Sequence, residues 1–94
     1  MATYLLFGKY SLEAIGKISA ARTKSAAAVI ADCGGQLKGG YAMVGEKDLL
    51  LIVELPSIEA SMQASVGLSK LLGIGFTTAP AVTIEEFDKL FKKG

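Results

Sequence analysis

An α+β fold, with an antiparallel sheet backed by helices on one side, is what this sequence predicts, and three observations carry the prediction. Short runs rich in branched and aromatic residues alternate with longer segments of helical period. Two apolar runs, Tyr41-Ala42-Met43-Val44 and Leu49-Leu50-Leu51-Ile52-Val53, face each other across the polar turn Gly45-Glu46-Lys47-Asp48, which reads as a hairpin at the centre of the sheet. The second run is apolar at consecutive positions, so both of its faces need cover, whereas the chain supplies helices for one face only. A partner subunit is the natural cover for the other.

Thr3 to Lys9 is short and rich in β-formers, the first strand. Ser11 offers an N-cap, and Leu12, Ile15, Ile18, Arg22, Ala26, Val29, Ile30 and Cys33 follow at spacings of three and four, the stripe of one long helix. Thr23 and Ser25 mark a candidate bend or break within it, and Gly34-Gly35 ends it in a left-handed turn. Gln36 to Val44 and Asp48 to Leu55 are the second and third strands. Pro56 ends the ladder, and Ser57 caps a second helix with Ile58, Met62, Val66 and Leu72 as its apolar stripe, closed by Gly73. Ile74 to Val82 is a fourth strand, in which Gly75 and Pro80 indicate an irregular or edge position. Thr83 and Glu86 then form a capping box, with Val82 and Phe87 placed as a hydrophobic staple. Lys89, Lys92 and Lys93 suit the C-terminal dipole of this last helix.

The order strand, helix, strand, strand, helix, strand, with a helix appended, is the split βαβ arrangement of ferredoxin-like domains. A single domain over 1–94 is expected, without internal repeats or linkers. With 51% hydrophobic residues in a chain of 94, one core is attainable but small, and association would support it.

Composition narrows function by exclusion. Net charge is +1 and Arg22 is the only arginine, so no basic footprint for nucleic acid exists. The single cysteine, Cys33, excludes an internal disulfide and fits a reducing, cytoplasmic setting. No basic leader precedes the first apolar stretch and no run approaches a membrane span, so neither secretion nor membrane insertion is expected. The chain has no His, no Trp and no Asn, which leaves Asp, Glu, Lys, Tyr and Cys for any catalysis and makes a metal centre or a bound cofactor unexpected. Gly73-Ile74-Gly75 has neither the spacing nor the lysine of a phosphate loop.

If Glu46 and Lys47 form the hairpin tip, Met43 pairs with Leu50, Tyr41 with Ile52 and Gly39 with Glu54. One face then carries Tyr41, Met43, Asp48, Leu50, Ile52 and Glu54, and the other Gly40, Ala42, Val44, Leu49, Leu51, Val53 and Leu55. The small residues of the second set suit closely pressed helices. The first set therefore forms the open face, apolar at its middle with a carboxylate at each end, and is the candidate ligand-binding surface.

The segment Gly45-Glu46-Lys47-Asp48, the apolar run after it and Glu54-Leu55-Pro56 resemble the glycine, tyrosine, aspartate signature of the GYD-domain family. Gly34-Gly35, Arg22 twelve residues before that pair, and Thr83-Ile84-Glu85-Glu86-Phe87 extend the likeness over nearly the whole chain. Lys47 stands where the signature usually has its tyrosine. The resemblance implies a ferredoxin-like domain similar to the dimeric α/β-barrel group, in which two sheets pack face to face.

Each candidate residue has a structural and a chemical reading. Asp48 either closes the hairpin turn or serves as a buried acid or base, and Glu54 either ends its strand in solvent or faces a ligand. Tyr4, Tyr10 and Tyr41 suit a half-buried interface as well as a hydrogen bond to a bound molecule. Cys33, at a helix C-terminus with no His to activate it, reads as a small hydrophobe. Arg22 in an apolar stripe points to a salt bridge or an anion. No constellation names a reaction. The expected function is a homo-oligomeric small-molecule-binding or regulatory and assembly module, partnered by its own copies and a small apolar ligand. The alternative is a cofactor-independent isomerase or oxygenase-like enzyme using Asp48, Glu54 or a tyrosine as acid or base.

Overall fold

A computed structural model describes residues 1–16 and 19–91. Strand β1 (Ala2–Lys9) is followed by helices α1 (Leu12–Ile15) and α2 (Ala20–Asp32), strands β2 (Gln36–Ala42) and β3 (Leu49–Leu55), helix α3 (Ile58–Leu72), strand β4 (Gly75–Ala81) and helix α4 (Ile84–Phe91). The strands form a four-stranded sheet in the order β2-β3-β1-β4, with every neighbouring pair antiparallel. This is the ferredoxin-like α+β fold. The strand holding Pro80 lies at an edge, where a missing N–H costs no ladder bond.

Helices α2 and α3 pack on one face of the sheet. Leu6, Val53, Leu55, Ile30 and Leu68 are the largest fully buried side chains, drawn from two strands and both helices. Contact between the helices is close: a Cβ added at Gly67 would press on Val29 Cγ1 at 3.0 Å.

The helix expected from Leu12 to Cys33 is two pieces. α1 is a single turn, and α2 restarts at Ser19, whose extended backbone and Oγ, accepting from the Arg22 N–H at 3.3 Å, make it an N-cap. The break thus precedes the Thr23 and Ser25 positions, and Ser25 Oγ bonds back to the Ala21 carbonyl within the helix. Leu12 and Ile15, severed from α2, remain exposed, while Ala26 and Ile30 are buried. Ile18, Lys92 and Lys93 lie outside the described residues.

The C-terminus of α2 is a Schellman turn, with the Gly35 N–H donating to the Ile30 carbonyl at 3.1 Å and the Gly34 N–H to that of Ala31 at 2.9 Å. Gly34 takes φ +84°, and a Cβ on Gly35 would fall on the Glu54 carbonyl and the Leu55 side chain. One glycine supplies the left-handed turn and the other lets the chain pass against β3.

Helix α3 keeps its expected caps: Ser57 Oγ accepts from the Ala60 N–H at 3.1 Å, and Gly73 ends the helix at φ +70°. Its inward face is a different one from that expected. Ala60, Ala64, Leu68 and Leu72 are buried, whereas Ile58, Met62 and Val66 face solvent. Both sets run at intervals of four, nearly opposite each other around the helix, and the small residues are the ones that let α3 approach its neighbours.

Candidate functional site

The sheet register assigns every strand residue to a face. Tyr41 lies opposite Leu50, Gly39 opposite Ile52 and Gln36 opposite Glu54, so the pairing of β2 with β3 is slipped by two residues from the expected one along Gly39–Ala42. A slip of two preserves side-chain direction. At Lys38 the register shifts by one more residue, a bulge that turns Leu37 to the same side as Gly40 and Ala42.

Tyr41, Leu50, Ile52 and Glu54 therefore share the face away from α2 and α3, joined there by Thr3, Leu5 and Phe7 of β1 and by Thr77, Ala79 and Ala81 of β4. Leu5, Phe7, Leu50 and Ile52 are half-buried and form an apolar centre, and Tyr41 stands exposed at the rim. Neither helix of the core packs over them.

Met43 and Asp48 sit outside the strands, in the connection between β2 and β3. The Met43 N–H donates to the Asp48 carbonyl at 2.8 Å, and the Asp48 N–H donates to the Gly8 carbonyl at 2.9 Å. The Asp48 carboxylate accepts from the Tyr10 N–H at 2.9 Å and lies 3.3 Å from Lys9 Nζ, which also donates to the Gly45 carbonyl at 3.1 Å. Asp48 thus ties the hairpin connection to the end of β1, where its expected structural role was to close its own turn. Val44, expected on the helix side, is fully exposed in this connection.

Room for a small molecule lies on the other side of the sheet. A cavity of about 530 Å³ opens beneath the N-terminal half of α2. Leu37, Gly40, Ala42, Leu49 and Leu51 form its floor, Ser19, Arg22, Thr23 and Ala26 its roof, and Tyr10 and Leu72 close one end. Lys38 and Tyr41 stand at its β2 edge. The small residues at Gly40 and Ala42, expected to receive a closely pressed helix, leave room instead. The trace of this space in the sequence is Gly40 and Ala42, which on the helix side of β2 carry no side chain large enough to fill it. Arg22, singled out as an interruption of an apolar stripe, spans the upper wall and donates from a terminal guanidinium nitrogen to the Leu71 carbonyl at 3.3 Å.

The remaining candidates divide between core and edge. Tyr4 is buried in the core, Tyr10 lines the cavity, and Cys33 packs half-buried at the C-terminus of α2. No group of three or more His, Cys, Asp or Glu among the described residues is placed to hold a metal ion, and no helix among them is long and apolar enough to cross a membrane.

The family model of the GYD domain matches residues 4–91. This chain belongs to the GYD-domain family. The matched span runs from the first strand to the last helix, so the GYD domain includes both the open sheet face and the cavity. No curated protein matches the sequence. Among solved structures, the GYD chain is similar to the crystal structure of the leucine response regulatory protein LrpA of Mycobacterium tuberculosis. The TM-score is 0.58 at 10% identity, over 87% of this chain and 51% of that one. At that identity the likeness shows the fold, and the GYD chain spans about half the length of the regulator.

Proposed function

We propose that this GYD domain is a homo-oligomeric module that binds a small molecule, and that the sheet face away from the helices is the surface through which copies associate. The observation that carries the association is the apolar centre of that face, Leu5, Phe7, Leu50 and Ile52, with no core helix packed against it. An uncovered apolar surface of this kind marks an interaction site. A second copy supplies an identical surface, and twofold pairing of one patch with itself is the commonest way to close such an interface. Helix α4 favours the same reading, since Ile84, Phe87, Leu90 and Phe91 are all exposed and none of its residues is buried.

Binding without catalysis is favoured by where the carboxylates are. Asp48, the best placed acid or base in the sequence, is held by the Tyr10 N–H and Lys9. Glu54 is at the far end of β3, beside Thr3 and Gln36. A regulatory role follows naturally for a module that couples a ligand to association. The cytoplasm is the expected setting for its single free thiol.

Native mass spectrometry of the freshly purified chain tests this, because one spectrum reports subunit number and any retained mass. An oligomer is expected, and Ile52→Lys, which places a charge at the centre of the face, is expected to convert it to a monomer with unchanged circular dichroism. A wild-type chain that is monomeric at tens of micromolar overturns the association.

A further inference from the structure

We infer that the cavity beneath α2 is the binding site, and that its ligand is an amphipathic monocarboxylate: an acid with a compact aliphatic or aromatic body and no ammonium group. This rests on the small-molecule-binding reading above and moves the site from the open sheet face to the opposite side of the sheet.

Three features of the cavity select that chemistry. Its volume of about 530 Å³ is far larger than an inorganic anion needs and lies within the roughly 300–1,000 Å³ typical of sites for small organic ligands. Its inner surface, made by Leu37, Leu49, Leu51, Leu72 and Ala26, is apolar and takes a hydrocarbon body. Its charge is of one sign, because Arg22 and Lys38 are both among the described lining residues and no Asp or Glu is. An ammonium group in the ligand would share its sign with both of these residues. A carboxylate supplies a counter-charge to these two residues and a neutral head does not.

The architecture holds these groups on separate elements. Lys38 is the bulge residue of β2, Arg22 is fixed to α3 through the Leu71 carbonyl, and Thr23 lies one residue further along α2. A ligand filling the space would join α2, the C-terminus of α3 and edge strand β2, which is how binding would stiffen the open end of the fold.

Three probes with one body and different heads test the inference on the full chain: phenylbutanoate, phenylbutanol and phenylbutylamine, followed by calorimetry and by amide chemical shifts. The acid is expected to bind about tenfold more tightly than the alcohol, as a charge-assisted hydrogen bond at a partly exposed site allows, and the amine weakest. Shifts are expected at Thr23, Ala26, Leu49 and Leu51. Lys38→Met keeps the alkyl stem and should bring the acid down to the affinity of the alcohol. Ala42→Trp fills the cavity from an exposed strand position and should remove binding of acid and alcohol alike. Equal affinity for all three heads overturns the acid. Shifts centred on Leu5, Phe7 and Ile52 overturn the location while leaving the small-molecule reading in place. Absence of binding by any probe overturns this site and its ligand class, and the broader reading is then decided separately by the mass retained in the native spectrum.

Discussion

Helices α3 and α4 begin in the same way and end in different circumstances. Ser57 caps α3 and Thr83 caps α4, where Oγ1 accepts from the Glu86 N–H at 3.0 Å and the hydroxyl donates to the Glu86 carboxylate at 3.3 Å. Locally α4 has one cap contact more than α3, the hydroxyl-to-carboxylate bond of Thr83 with Glu86, because the N3 residue of α3, Ala60, has no polar side chain to reach back. Yet α3 buries Ala60, Ala64, Leu68 and Leu72, while α4 has no buried residue and sets Phe87 at a tilt against its own Phe91, with ring centroids 5.0 Å apart. Capping thus decides where a helix starts, and the neighbours decide what it contributes. An isolated helix of this length is marginal in water, so the stripe of α4 calls for cover that the described residues do not provide.

The sharpest way to break this comparison is a matched pair of truncations. Leu68→Ala removes a side chain with no exposed surface and is expected to cost about 2–5 kcal/mol in urea unfolding. Phe87→Ala, made in the dilute, dissociated chain, should change the same midpoint by less than about 0.5 kcal/mol while lowering the oligomer's association constant. A large effect of Phe87→Ala on the dissociated chain would place α4 inside its own fold.

Intermediate in size is the pair of cap substitutions. Ser57→Ala should cost about 1 kcal/mol of global stability, because α3 is folded only when the core is. Thr83→Ala weakens a helix that opens by itself, so faster amide exchange across Ile84–Phe91 is expected with no shift of the global transition. Equal effects of the two on the global midpoint would mean that α4 unfolds with the core.

The smallest difference concerns charge. Lys89 Nζ lies 3.8 Å from Glu85 Oε1 on α4, and both side chains are largely exposed. Glu85→Gln is expected to change helix content and stability by no more than about 0.5 kcal/mol. Thermal melts at low and high salt check this, and a larger, salt-sensitive loss would show that the pair is buried against another surface.

How far the candidate site could be read from the sequence differed from one strand face to the other. Side-chain alternation placed Leu50, Ile52 and Glu54 with Tyr41 on the open face, and the two-residue slip of β2 left that placement intact because the pleat repeats every two residues. Asp48 stood out as a turn residue, but its bonds to Lys9 and Tyr10 join segments far apart in the chain. The cavity leaves only an ambiguous trace in the sequence, for a related reason. Gly40 and Ala42 are small whether a helix presses on them or a void lies above them, and the restart of α2 at Ser19 is what settles the matter here.

The features legible in the chain alone are those that depend on a few adjacent residues: the caps at Ser57 and Thr83 and the glycine turns at Gly34 and Gly73. Each is a hydrogen bond or a backbone angle settled within one turn of chain. Only the tertiary structure decided which of two apolar stripes α3 turns inward, because Ile58, Met62 and Val66 satisfy the same period as Ala60, Ala64 and Leu68. That choice depends on the distance of closest approach to α2 and the sheet, a quantity fixed by packing between elements far apart in the chain.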